Sequence, residues 1–208
     1  MRPTHYSPGR GETAALGGGT IMALPETIQR YTYADYYAWD DNERWELIDG
    51  VPYSMSPAPL TAHQRISSNL HYQLYDFLKG KPCQLFTAPF DVRLNALGDD
   101  DDDVFQPDLV IICDRTKIDD KGCNGAPDMV IEILSPSTAM RDKVLKFNKY
   151  QRAGVREYWI VDPNSKTVQV FILDNGRYIA KSYGETDTIS VCALEGCEIS
   201  LPDVFTDY

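Results

Sequence analysis

Two runs in the middle of the chain set an acid, Asp108 in one and Glu132 in the other, among apolar residues, and no other feature constrains the fold as strongly. The runs are QPDLVII, 106–112, and PDMVIEILS, 127–135. After their acids both are apolar on successive positions, the pattern of a strand buried on both faces. Alternate residues of a strand share a face. Asp108 therefore lines up with Val110 and Ile112, and Glu132 lines up with Val130 and Leu134. An unpaired carboxylate in such surroundings is costly, so each acid has to be paired, protonated or bound to a cation. Two such acids on successive buried strands can converge on one ion. Mg²⁺ suits the pair, because it accepts one or two carboxylates and keeps several waters. The other reading places each acid at a strand end, against a backbone N–H or an arginine.

The flanking segments describe a mixed α/β domain. Residues 32–40 read as a short helix with Thr32 as its N-cap, and 45–55 as a hairpin about Gly50. Ile66, Leu70, Leu74 and Leu78 recur every four residues, which predicts a helix over 60–79 that Gly80 ends. Strands are expected over 83–94, 104–113, 127–135 and 156–162. Pro136 stops the third of these. A last hairpin turns at Asp174-Asn175-Gly176. The acidic run Asp99–Asp103 reads as a solvated loop tip. Residues 1–30, rich in Gly, Thr and Pro, read as a disordered leader, and 31–208 as one domain.

Between the last two of those four strands, residues 138–153 predict a helix with Met140, Val144 and Phe147 on its packing face. Asp142, Lys146 and Tyr150 follow at i, i+4 and i+8, a stripe beside that face. An Asp–Lys pair at this spacing is usually a surface ion pair worth about 0.3–0.5 kcal/mol. The functional reading points Lys146 at the acidic pair instead, to position a water or stabilise a phosphate.

Charge and cysteine content narrow the class. The formal net charge of −11 over 208 residues argues against a general polyanion binder. A local basic patch can still bind nucleic acid. No apolar stretch is long enough for a membrane helix. Five cysteines at irregular spacing show no CxxC pair and read as isolated thiols in a reducing cytoplasm.

Taken in order, WELIDG (45–50), a proline-rich turn followed by His63, QPDLVII, VIEILSPST (130–138), Asp142-x-x-x-Lys146-x-x-x-Tyr150 and AGVREYWIVDP (153–163) resemble the Uma-type family of restriction endonucleases, in the PD-(D/E)XK nuclease superfamily. The resemblance covers about residues 31–205. It implies a restriction-endonuclease-like fold, a central mixed β-sheet flanked by helices. It also implies Mg²⁺- or Mn²⁺-dependent hydrolysis of DNA phosphodiester bonds with water as nucleophile. Cutting both strands of a duplex usually needs two sites, so a homodimer is expected. Asp108, Glu132 and the backbone carbonyl of Ile133 would hold the metal, and Glu46 would be a further acid of the site. The lysine expected two residues after the glutamate is Leu134 here, and Lys146 is the natural substitute. For Glu46 a place on the surface of the hairpin is the competing reading. His63 shares the buried face of its helix and reads as a hydrogen-bonded core histidine, with a place near the phosphate as the alternative. Leu134 and the acidic composition motivate a second class of function, a nuclease-derived homodimeric binding or assembly module without useful activity.

Overall fold

The computed structural model describes residues 29–40, 43–55, 60–135 and 141–206. Most of the expected leader, with Pro136 and Met140, lies outside the described residues. A short helix, α1 (Tyr33–Tyr37), precedes the hairpin β1 (Trp45–Ile48) and β2 (Val51–Ser54), and α2 (Thr61–Leu78) follows. Six short strands come next: β3 (Gln84–Thr87), β4 (Val92–Arg93), β5 (Val104–Phe105), β6 (Leu109–Ile112), β7 (Ile118–Asp119) and β8 (Gly122–Asn124). Then β9 (Met129–Ile133) leads through a π-helical turn, Arg141–Lys146, into α3 (Phe147–Ala153). The chain continues as β10 (Glu157–Asp162), β11 (Thr167–Asp174), β12 (Arg177–Gly184), β13 (Thr188–Ser190), β14 (Glu198–Ser200) and α4 (Leu201–Val204).

The inner sheet runs β12-β11-β10-β9-β6-β3, and an outer sheet runs β2-β1-β5-β4-β8-β7. The inner sheet is mixed: β9 and β10 are parallel, and the other neighbours are antiparallel. This is the expected restriction-endonuclease-like arrangement, a central mixed sheet with helices against it.

The alternation of side chains sorts β6 and β9 into two cores. Leu109, Ile111, Met129, Ile131 and Ile133 face α2, whose Ile66, Leu70, Leu74 and Leu78 pack on them with Leu201 and Val204 of α4. Leu70 and Leu74 are fully buried, each stabilising by about 1.5–3 kcal/mol, which is why the four-residue spacing survives as a helix. Val110, Ile112, Val130, Leu134, Tyr158 and Ile160 face the other way, onto Ile48, Val92 and Phe105 of the outer sheet and Tyr150 of α3. Asp108 and Glu132 belong by alternation to this second layer.

Five expectations need correction. The run 104–113 is not one strand: β5 lies in the outer sheet and β6 in the inner, and Gln106-Pro107-Asp108 carries the chain between them. The 83–94 strand divides in the same way into β3 and β4. The acidic run is not wholly solvated, since Asp101 and Asp103 are buried. Asp101 accepts the N–H groups of Asn95 and Asp103, and Asp103 accepts that of Asp49 and the ammonium of Lys149. The 138–153 helix packs differently as well. Val144 is 51% exposed, whereas Asp142, Lys146 and Tyr150 are buried, and Phe147 packs against Phe171 and Tyr178. Lastly, the cysteines are not all isolated, because Cys83 and Cys113 form a disulfide. Gln84 pairs with Ile112, so the two cysteines stand opposite each other one step further along the ladder.

Gly122 shows how closely the outer sheet is drawn together. Its φ of +125° favours glycine, and an added Cβ would collide with the Asp91 carbonyl, which accepts the Cys123 N–H at 2.8 Å. Asp91 is thereby fixed beneath Tyr33, Tyr36 and Gln106, which all donate to it.

Candidate metal centre

The site forms where β6 begins and β9 ends. Leu109 pairs with Ile131 and Val110 with Val130, so Asp108 stands opposite Glu132 at the next step of the ladder. Asp108 Oδ2 accepts the Ile133 N–H at 2.7 Å and lies 3.2 Å from His63 Nε2. Its side chain is 23% exposed, so this acid is open to solvent on one side. Glu132 is buried. Its Oε1 accepts from Lys146 Nζ at 2.9 Å and from the Tyr150 hydroxyl at 3.0 Å.

Lys146 is the hub. Its ammonium lies 2.8 Å from Glu46 Oε1, 2.9 Å from Glu132 Oε1 and 3.4 Å from Asp142 Oδ1. The lysine comes from the π-helical turn, a wider coil that recurs at functional sites. The Tyr158 hydroxyl donates to the Asp142 carbonyl and ties that turn to β10. Both readings of the stripe are thus resolved: Asp142 and Lys146 do pair, inside the protein, and Lys146 points at the acids. Tyr150 bonds to the same Glu132 oxygen as Lys146. Leu134, in the position of the missing lysine, packs in the second core.

Glu46 is 1% exposed, which overturns a surface role. It projects from a strand buried at all four positions. Oε1 also accepts the Gln106 N–H at 3.1 Å, and Oε2 lies 3.3 Å from Arg141 Nη1. Gln106 is itself braced: its Oε1 accepts twice from Arg44, and its Nε2 donates to Asp91 and to the Tyr36 hydroxyl. The outer sheet therefore aims Glu46 at Lys146. The expected site residues Asp108, Glu132, Ile133, Lys146 and Glu46 all meet in one cluster. Sequence reasoning missed Gln106 and Arg141. Gln106 opens the QPDLVII motif and Arg141 adjoins Asp142, but nothing in their spacing signals the contact with Glu46.

Electrostatics explains what this cluster lacks. Burial works against a charged Lys146, yet Glu132, Glu46 and Asp142 together raise it well above lysine's ordinary value. Glu132 is also pushed upward, first by burial and then by Asp142, Asp108 and Glu46, with Lys146 opposing. Among the described residues, the four acids Glu46, Asp108, Glu132 and Asp142 gather around three basic groups, Lys146, Arg141 and His63, so acids outnumber bases in the cluster. For His63, burial pulls downward, but the hydrogen bond and charge of Asp108 outweigh it and the net shift is upward. A hydrogen bond with the Ile133 backbone adds to that rise. Because it favours the protonated ring, the acceptor is the Ile133 carbonyl.

Among the described residues, no three His, Cys, Asp or Glu side chains form a ready cage. The donors that fit a cation are Asp108, Glu132 and the Ile133 carbonyl. Such a set leaves positions for water, as Mg²⁺ requires. The charge deficit makes the residues a fit for a divalent ion.

A crystal structure described as "a putative nuclease belonging to DUF820" from Anabaena variabilis superposes with a TM-score of 0.67. It is 20% identical in sequence and covers 84% of this chain and 97% of its own. A protein of Synechocystis sp., slr1290, described as uncharacterized, is 24% identical over 164 residues, which are 77% of this chain and 84% of the relative. The model of the Uma2 family, described as "Putative restriction endonuclease", matches residues 33–202 and so spans every element of the cluster. The chain belongs to the Uma2 family, and its fold is the restriction-endonuclease-like one.

Proposed function

We propose that this protein is a metal-dependent endonuclease that hydrolyses DNA phosphodiester bonds with water as nucleophile. One observation carries the reading. Lys146, supplied by the turn after β9, reaches Glu132 at 2.9 Å although Leu134 holds the usual lysine position. That contact removes the main motive for reading the chain as an inactive module.

Asp108, Glu132 and the Ile133 carbonyl would hold Mg²⁺ or Mn²⁺. When bound, such an ion stabilises charge on the phosphate and acidifies water. The protein's own residues supply the rest. Glu46 and Glu132 hold the Lys146 ammonium in a dry pocket, where a fixed positive charge acts more strongly on a phosphate than in water. Tyr150 fixes the orientation of Glu132. The Ile133 N–H fixes Asp108 so that its exposed side faces incoming substrate. Cleavage of both strands of a duplex calls for two such sites, so the working unit in this proposal is a homodimer.

The test is nicking of supercoiled plasmid with Mg²⁺ or Mn²⁺, by the wild type beside Asp108→Asn, Glu132→Gln and Lys146→Met. Metal-stimulated nicking that all three substitutions abolish is the expected result. Equal nicking by all four proteins would sink the assignment. Light scattering of the same samples checks the dimer.

A further inference from the structure

His63 reaches the acidic site from the layer opposite Lys146, and this position has its own consequence for the metal. His63 stands in the first turn of α2, whose apolar face packs beneath the inner sheet. The ring is buried, with Nε2 3.2 Å from Asp108 Oδ2. Two neighbouring ligands of an octahedral cation, each bound at about 2.1 Å, stand about 3.0 Å apart. The observed separation is close to that edge, so one ion can take both atoms with little movement of either. Oδ2 gives one lone pair to the Ile133 N–H and keeps another. Nδ1 is buried with no partner among the described residues. A cation at Nε2 would displace the proton that this atom donates to Asp108 and to the Ile133 carbonyl, and the neutral ring would keep its one proton on Nδ1.

We propose that His63 Nε2 is a ligand of the same cation as Asp108, giving the centre a nitrogen donor and a preference for first-row transition ions, such as Mn²⁺, over Mg²⁺. The inference rests on the reading of Asp108 as a metal ligand. Its chemical basis is ligand type: imidazole binds transition ions well, whereas Mg²⁺ prefers oxygen. A hydrogen-bonded core histidine would use the same contact without affecting metal choice.

Pulsed electron paramagnetic resonance of Mn²⁺ titrated into the metal-free protein separates these cases. The expected result is a coupling between Mn²⁺ and nitrogen that changes with isotope-labelled histidine. It should vanish in His63→Gln although His5 and His71 remain. Mn²⁺ affinity in His63→Gln should fall about tenfold or more, and Mg²⁺ affinity by less. The wild-type spectrum needs no variant, so a misfolded His63→Gln does not spoil the test. Mn²⁺ bound in an Asp108-dependent manner without nitrogen coupling overturns the histidine ligand and leaves the metal site standing. Coupling that persists in folded His63→Gln also overturns it. Absence of Mn²⁺ binding sensitive to Asp108→Asn overturns both readings.

Discussion

Lys146 donates to Glu132 from fourteen positions further along the chain, across the gap between a helical turn and the strand before it. Both side chains are nearly inaccessible. Breaking one partner of such a buried pair strands the other, at about 3–5 kcal/mol. Lys146→Met keeps the bulk of the side chain and removes the charge from among Glu46, Glu132 and Asp142. Urea unfolding of the metal-free protein should register that loss, and added divalent cation should recover part of it. A variant as stable as the wild type without metal would show that Lys146 does not neutralise these acids.

Tyr150→Phe isolates one bond. The ring is fully buried against Phe105 and Tyr158, and those contacts persist without the hydroxyl. The bond to the Glu132 carboxylate is lost, and bonds to charged groups are worth about 1.5–3 kcal/mol. Thermal and urea unfolding should both show a loss in that range. A loss below a few tenths of a kcal/mol, on the order of a surface substitution, would mean that the hydroxyl does not hold Glu132.

Glu157 supplies a pH dependence away from the centre. Its carboxylate accepts the Trp159 indole N–H and the Ala193 N–H, each at 2.7 Å. Burial raises its proton affinity above glutamate's ordinary 4.5, and the hydrogen bonds only partly oppose this. The folded state thus binds this proton more tightly than the unfolded state does. The resulting stability is complete below pH 4.5 and is lost as the pH rises through the higher folded value. Relative to Glu157→Gln, the wild type should lose stability as the pH rises above 4.5, measured by denaturant titration at each pH. A constant difference across that window would contradict the burial of a carboxyl there.

The Cys83–Cys113 disulfide closes a loop with a sequence separation of 30. Bridges of this kind stabilise by about 2–4 kcal/mol. Reduction should lower the urea midpoint accordingly. Alkylation of the denatured, unreduced protein should modify three thiols, those of Cys123, Cys192 and Cys197, and all five cysteines after reduction. Five reactive thiols before reduction would disprove the bridge.

What the sequence announced and what it hid divide along one physical line. Elements built by a local period were legible: the helix expected over 60–79 runs from Thr61 to Leu78, and the last hairpin turns where Asn175 and Gly176 stand. The acids of 106–112 and 127–135 were legible because burial of a charge inside an apolar run demands a partner. The partners were not. Val144 outranks Lys146 on any hydropathy scale, yet Lys146 is buried and Val144 is not. The lysine is drawn inward by three carboxylates, one of which, Glu46, lies 100 positions earlier in the chain. Likewise Asp101 and Asp103 sit in a run that reads as solvated, yet the N–H groups of Asn95, Leu97 and Asp103 hold the first, and the Asp49 N–H and Lys149 hold the second. The disulfide was hidden for the same reason: strand register, not spacing, brings Cys83 to Cys113.

The passage Gln106-Pro107-Asp108 is where the chain leaves one sheet for the other. Its first residue steadies Glu46 through a backbone N–H, and its last accepts the N–H of Ile133. Side chains alternate along a strand, so a single inserted or deleted residue here would turn Asp108 away from Glu132 or shift all of β6. The length of this tripeptide is therefore as fixed as the identity of its acid. Homologous chains should tolerate substitution at Pro107 far better than any change in the count of residues between Gln106 and Asp108.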